Sequence, residues 1–136
     1  MDDLTLSKTI AASGMKAQAQ RLRVISENLA NADSLSKTPG GQPYRRKTVT
    51  FRNELDRATG AELVKVGRVS RDRGQLERKY DPGHEAAGAD SYVLRPNVNP
   101  LVETMDMKEA QRTYEANLNV ISTSKEMMSK TLDLIR

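Results

Sequence analysis

The sequence predicts a mainly α-helical protein, in which long N- and C-terminal helices pair as a coiled-coil core domain beside a small β or irregular middle segment. Two observations predict it. All five prolines and seven of the eight glycines lie between residues 39 and 100, so helix-breaking residues are confined to the middle. Both ends carry apolar residues at helical spacing. We therefore expect one discontinuous helical domain made of residues 1–32 and 101–136, with 33–100 as a β-hairpin or irregular outer segment.

The N-terminal segment predicts one helix from about residue 4 to residue 31. Residues spaced three, four or seven positions apart form one narrow stripe on one face, and the stripe is apolar except for Gln18. The members of this stripe are Leu4, Ala11, Met15, Gln18, Leu22, Ile25 and Leu29. Gly14 lies inside the helix, where it should cost about 1 kcal/mol relative to Ala. Either this cost is tolerated, or the missing side chain lets another helix come close.

The C-terminal segment repeats more regularly, because one row recurs every seven residues without a break. That row is Met107, Tyr114, Ile121, Met128 and Ile135, and the interleaved row is Gln111, Leu118, Lys125 and Leu132. A heptad sustained over four intervals predicts coiled-coil packing. At the start of the helix, Asn99 can act as the cap and Pro100 suits the first helical position. The pattern leaves open whether the helices pack only within a monomer or also between subunits.

Helix packing and assembly are expected to depend on the larger members of both stripes. These residues are Met15, Leu22, Ile25, Leu29, Met107, Tyr114, Leu118, Ile121, Met128, Leu132 and Ile135. The middle segment predicts only short strands, at the end of 44–51, within 62–69 and at 92–94, with turns at Gly60 and at Pro82-Gly83.

The composition excludes most enzyme classes. The chain has no Cys and a single His, so thiolate and multi-histidine metal sites are absent. His84 follows the turn sequence Asp81-Pro82-Gly83, where a turn hydrogen bond is its expected role. No phosphate-binding loop or nucleophile motif accompanies it. We expect no catalytic residue, no metal, no cofactor and no small-molecule substrate.

A basic segment spans residues 45–79, with 11 basic and five acidic side chains. One interpretation is a nucleic-acid-binding helical module that uses this segment. The other is that the segment is a solvated surface or forms ion pairs with a neighbouring acidic subunit, with Arg45, Arg46 and Lys47 as the contact candidates. No recognised nucleic-acid motif accompanies the basic residues, which favours the second interpretation. A cytoplasmic coiled-coil adaptor is a further alternative.

Several stretches are specific enough to suggest a family. Near the N-terminus they are Ser13-Gly14-Met15-Lys16-Ala17-Gln18, Arg21-Leu22 and Ser26-Glu27-Asn28-Leu29-Ala30-Asn31-Ala32-Asp33. Further along they are Gly41-Gln42-Pro43-Tyr44-Arg45, Tyr80-Asp81-Pro82-Gly83-His84, Pro96-Asn97-Val98-Asn99 and Ala110-Gln111-Arg112-Thr113-Tyr114-Glu115-Ala116-Asn117. The first group resembles the flagellar rod and hook proteins, and the second is similar to their short proximal rod members in particular.

This resemblance implies a structural subunit that is not an enzyme. Its paired helices would line an axial channel, and copies would stack helically with other rod proteins into a drive shaft across the periplasm. The base of the rod and the MS-ring region would be neighbours, and nucleic acid would not be a partner. The subunit would be exported unfolded by the flagellar type III apparatus. The acidic start Met1-Asp2-Asp3 is unlike a cleaved signal peptide, which agrees with that route.

Overall fold

The computed structural model describes residues 2–136, so Met1, where the predicted helical domain begins, lies outside the described residues. Two helices and four strands follow one another along the chain. They are α1 (Asp3–Ala30), β1 (Lys47–Asp56), β2 (Ala61–Arg71), β3 (Arg78–Tyr80), β4 (Tyr92–Leu94) and α2 (Pro100–Ile135). Within residues 2–136 no helix is long and apolar enough to cross a membrane.

Both helices begin at side-chain caps. The carboxylate of Asp2 accepts a hydrogen bond of 2.7 Å from the backbone N–H of Thr5, and this bond lowers the pKa of Asp2. At the start of α2, Oδ1 of Asn99 accepts a bond of 3.0 Å from the N–H of Leu101, and Pro100 occupies the first helical position. The cap that the sequence predicts at Asn99 is therefore present. Such caps satisfy backbone donors that have no partner within the helix.

The predicted fold class is wrong. Helices hold 47% of the residues and strands 20%, and the strands form two antiparallel two-stranded sheets, so the protein is a mixed α and β structure and not a mainly α coiled coil. The longer sheet pairs β1 with β2, which have 10 and 11 residues. Apolar alternation predicted a strand only as far as Phe51. The remainder of β1, Arg52–Asp56, carries polar side chains on both faces, and such residues are depleted in strands.

Each of two compact units combines helix and strand segments. The first unit contains residues 2–22, 49–68 and 108–136. Its most buried apolar residues are small, namely Ala11, Ala17, Ala61 and Ala110. Here α1 and α2 run antiparallel, because Gly14 approaches Asn117 while Arg21 approaches Glu109. The N–H of Val64 in β2 donates a bond of 3.1 Å to Oγ of Ser13, which joins the strand to α1.

The second unit contains residues 23–48 and 69–107. Val24, Ile25, Leu76, Ala86 and Val93 are its buried apolar residues. Strands β3 and β4 pair antiparallel, with Lys79 opposite Val93 and Tyr80 opposite Tyr92. The predicted boundaries between a helical domain and an outer segment remain a prediction.

Candidate functional site: a buried polar network and two helix surfaces

The second unit contains a buried polar network centred on Asn28. This side chain is only 1% exposed, yet all of its hydrogen-bonding positions are used. Nδ2 donates to the carbonyl of Lys47 at 2.9 Å and to Oε2 of Glu103 at 3.3 Å. Oδ1 accepts from the hydroxyl of Tyr44 at 2.7 Å and from the N–H of Lys47 at 2.9 Å. Asn28 thereby joins the end of α1, the entrance to β1 and the first turn of α2.

Arg46 completes this network from the other side. Its guanidinium bonds Glu103 through Nε and reaches Oδ2 of Asp106 at 3.4 Å. The hydrogen bond to Glu103 raises the pKa of Arg46. Glu103 is 1% exposed, so its charge is buried but compensated by Arg46 and by Asn28. The backbone N–H of Arg46 donates to Oδ1 of Asn97 at 2.7 Å, which fixes the loop before α2. We call Asn28, Tyr44, Arg46, Asn97 and Glu103 the Asn28 network.

Sequence reasoning found only part of this network. Asn28, Tyr44 and Asn97 lie in the stretches that resemble the family, whereas Glu103 lies outside all of them. The signal that identifies Glu103 is its spacing. It lies seven residues before Ala110, on the row of α2 that is buried.

The basic contact candidates all have partners within the chain. Arg45 donates to the carbonyls of Asp72 and Gly74 at 3.3 and 3.0 Å. Arg46 belongs to the Asn28 network, and Nζ of Lys47 lies 3.0 Å from Oε2 of Glu27. Contacts from these three side chains to a neighbouring subunit remain a prediction, and they would compete with the bonds described here.

In the first unit, Gly14 allows α1 and α2 to approach closely. A Cβ placed on Gly14 would lie 2.8 Å from Nδ2 of Asn117, which is closer than side chains pack. The second interpretation of Gly14, that its missing side chain admits another helix, is confirmed. The helix that comes close is α2 of the same chain.

The inner surface of α2 differs from the expected one. Of the row that repeats every seven residues, Met107, Tyr114, Ile121 and Met128 are half-buried, while Ile135 is exposed. The row that lies beside it and is most buried consists of Glu103, Ala110, Asn117 and Ser124. Gln111, Leu118, Lys125 and Leu132 are all exposed. Within this row, Asn117 occupies the space left by the missing side chain of Gly14.

The predicted assembly residues are therefore divided between two environments. On α1, Ile25 is buried and Met15, Leu22 and Leu29 are half-buried. On α2, the exposed members are Leu118, Leu132 and Ile135, and Leu132 is 57% exposed. Their role in assembly remains a prediction, but these three have apolar surface that the chain itself does not cover.

A second exposed row on α2 was missed by the sequence reasoning. It alternates steps of four and three residues, through Ala116, Val120, Thr123, Met127, Lys130 and Leu134. We call this row the outer stripe. Val120, Met127 and Leu134 recur at intervals of seven and are exposed, Leu134 by 88%. Thr123 and Lys130 interrupt the apolar pattern, which explains why the row was not recognised.

His84 and Asp81, in the stretch Tyr80-Asp81-Pro82-Gly83-His84, make local structural hydrogen bonds. Nδ1 of His84 accepts a bond of 3.0 Å from the N–H of Ala86, which is the turn hydrogen bond expected from the sequence. Asp81 donates its backbone N–H to the carbonyl of Ser91 at 3.0 Å. Within residues 2–136 no group of three or more acidic, His or Cys side chains is placed to hold a metal ion.

Comparison with known proteins decides the family. Residues 9–34 match the model of the flagella basal body rod protein family, and residues 89–134 match that of the flagellar basal body rod FlgEFG protein C-terminal family. The flagellar basal-body rod protein FlgC of Agrobacterium fabrum is 50% identical over 136 residues, which cover 100% of this chain and 98% of that protein. The chain belongs to the FlgC family of flagellar basal-body rod proteins.

More distant relatives agree. FlgC of Salmonella typhimurium is 44% identical, with 92% of each chain covered, and FlgC of Borreliella burgdorferi is 37% identical, with 96% of each covered. The chain is thus a structural, non-enzymatic rod subunit of the flagellar basal body, as the resemblance of its motifs implied. The nucleic-acid-binding alternative is not supported.

Proposed function

We propose that this FlgC-family chain polymerises helically, with copies of itself and with other rod proteins, into the proximal rod. The rod would act as the drive shaft that transmits torque across the periplasm and would enclose the export channel. The observation that carries this proposal is the exposed apolar surface of α2. Leu118, Leu132 and Ile135 lie outside the helix pair, and so do Val120, Met127 and Leu134 of the outer stripe.

The energetic argument favours burial of this surface in an assembly. Soluble monomers rarely expose a large contiguous apolar patch. Burying one aliphatic side chain contributes about 1.5–3 kcal/mol, so a few such residues per subunit supply a substantial driving force. Only 27 of the 136 residues are Leu, Ile, Val or Phe, and many of them lie on α2 outside the chain's own core. An assembly would complete the burial that the single chain leaves unfinished.

A torque-bearing subunit also needs internal stiffness. In the second unit, the Asn28 network ties α1 to α2 through hydrogen bonds that satisfy both Asn28 and Glu103. Fully satisfied buried networks rigidify the structure around them, because each bond is strong where water is excluded. The network therefore supports the proposal that the parts of α1 and α2 within the second unit move together under load.

The proposals for specific partners are supported only by membership of the family. We propose that the chain contacts the base of the rod near the MS ring, and that the flagellar type III apparatus exports it without a cleaved signal peptide. Purified basal bodies provide the test. Cross-linking followed by mass spectrometry should recover peptides of this chain joined to rod and MS-ring proteins, and the chain should carry no processed N-terminus.

The helical rod itself is tested in cells that lack the native gene. The wild-type chain should restore basal bodies with a rod, counted by electron microscopy. Glu115→Ala should restore them too, because Glu115 is exposed and belongs to none of the rows described on α2. Labelled wild-type chain should be located in the rod. Rods that form normally without the chain, or a label found elsewhere, would refute the proposal.

A further inference from the structure

A groove in the first unit lies between α1 and β2. Its volume is about 240 Å³, and its floor is formed by Ala17, Val64 and Val66. Ser13, Lys16, Gln20 and Lys65 border it. The hydrogen bond from Val64 to Ser13 holds the strand against the helix, so the groove is a built feature of the unit. It has an apolar floor and a polar rim, on which Lys65 is paired with Glu54 at 2.8 Å and Lys16 is exposed.

The outer stripe of α2 is mainly apolar, and its charged member, Lys130, is paired with Glu126 at 3.1 Å. Val120, Met127 and Leu134 are apolar and exposed, while Ala116 and Thr123 are small enough to let another element approach. Met127 lies at the centre of the exposed part, and a flexible Met side chain adapts well to an irregular groove. The outer stripe takes no part in the packing of α2 against α1.

We propose that the groove of one copy receives Met127 and its neighbours on the outer stripe of a second copy. This inference rests on the proposed rod function and names one contact that builds the rod. The two surfaces lie on different elements of the chain, so the contact is heterologous. A heterologous contact that does not close into a ring repeats as a helix, which is the symmetry a rod needs.

Charge supports the choice of a second copy as the occupant. Lys16 on the rim of the groove is exposed and has no ion-pair partner within residues 2–136. On α2, Glu126 and Asp133 each precede a member of the outer stripe, and among the described residues Asp133 has no ion-pair partner either. Opposite charges beside apolar patches fix register and reject wrong partners more than they add affinity. An ion pair between Lys16 of one copy and Asp133 of the next would fix the register of the contact.

Cysteine cross-linking tests the contact without background, because the chain has no cysteine of its own. The variant carries Gln20→Cys at the groove and Met127→Cys on the outer stripe, and it is oxidised within isolated basal bodies. We expect a ladder of dimers and longer species. The matched control carries Gln20→Cys with Leu118→Cys, which is also exposed but lies on a different face of α2. This control should lose the ladder. Equal ladders, or no ladder in either variant, would overturn the contact.

Charge reversal gives an independent measurement. Lys16→Glu should lower the number of rods per cell, and Asp133→Lys in the same chain should restore it, because each copy then presents the reversed pair to the next. Failure of Asp133→Lys to rescue would count against the contact. If the wild-type chain is nevertheless found in rods, only the contact is wrong. If the wild-type chain is absent from basal bodies altogether, the proposed function fails as well.

Discussion

Gly14 of α1 and Asn117 of α2 face each other so closely that a Cβ atom added at Gly14 would lie 2.8 Å from Nδ2 of Asn117, and the Asn117 amide would have to move to admit it. Replacing a helical Gly by Ala usually stabilises a helix by about 1 kcal/mol. Here we expect a smaller gain, because the Asn117 amide must first move aside. Gly14→Ala should therefore raise the free energy of unfolding by clearly less than about 1 kcal/mol, measured by urea denaturation followed by circular dichroism.

The companion variant identifies the cause. Asn117→Ser shortens the opposing side chain, so Gly14→Ala made in the Asn117→Ser background should give the full gain of about 1 kcal/mol. The same full gain from Gly14→Ala in the wild-type background would show that Asn117 does not hinder a side chain at position 14.

Glu103 should be required for the fold of the second unit. Glu103→Gln removes the charge that Arg46 pairs with while keeping the size of the side chain, and it leaves Arg46 with a weaker acceptor. Breaking a buried charge pair typically costs about 3–5 kcal/mol, and we expect the lower end because Arg46 is partly exposed. Thermal unfolding of the purified chain measures this loss of stability. Glu109→Gln, at an exposed position, is the control and should change little.

Tyr44 should make the stability of the protein depend on alkaline pH. Burial, followed by the nearby charges of Glu27 and Glu103, raises the pKa of Tyr44 above its ordinary value of 10.0. The folded state therefore retains the phenolic proton more tightly than the unfolded state does. The contribution of protonated Tyr44 to the free energy of unfolding is complete below pH 10, and it is lost as the pH rises through the pKa of Tyr44 in the folded state. Unfolding by urea at several pH values should show a decline above pH 10 that is shallower in Tyr44→Phe. Equal declines would contradict this assignment.

Gln18 should be a weak point of the helix pair. Its Oε1 is fully buried and accepts no hydrogen bond from any residue in 2–136. A buried acceptor without a donor costs about 1–3 kcal/mol. Gln18→Met keeps the length of the side chain and removes the polar group, so the free energy of unfolding should rise by about 1–2 kcal/mol. Gln20→Met, on the exposed surface, should shift it by no more than about 0.5 kcal/mol. A less stable Gln18→Met protein would mean that Gln18 finds a partner in solution.

The sequence predicts those parts of the structure that depend on residues close together in the chain. Both helices were predicted, because three-and-four spacing and the cap at Asn99 are local properties of the chain. Residues 52–56 of β1 were not predicted as a strand, because an exposed strand does not need alternating apolar residues. Leu118 and Leu132 belong to the interleaved heptad row but are exposed in the single chain, and their role in assembly remains a prediction. The contact of Asn117 with Gly14 is a tertiary feature, which the spacing of residues along α2 does not reveal.

Leu132 should separate the assembly of the rod from the folding of the chain. Ile121 is half-buried against the helix pair, so Ile121→Asp should weaken the monomer as well as the rod. Leu132 is 57% exposed, so Leu132→Asp should leave the free energy of unfolding within about 0.5 kcal/mol of the wild type.

In an assembly, by contrast, a charge placed in an apolar contact is costly unless it is paired, and each copy of the subunit would repeat the defect. Leu132→Asp should therefore abolish rods while the protein is still made and exported, whereas Glu115→Ala should form them normally. Electron microscopy of basal bodies counts rods in both strains, and urea denaturation of the purified chains reports the fold. Normal rods in Leu132→Asp would show that this exposed row of α2 faces solvent in the rod. The outer stripe would then be the assembly surface that remains on α2.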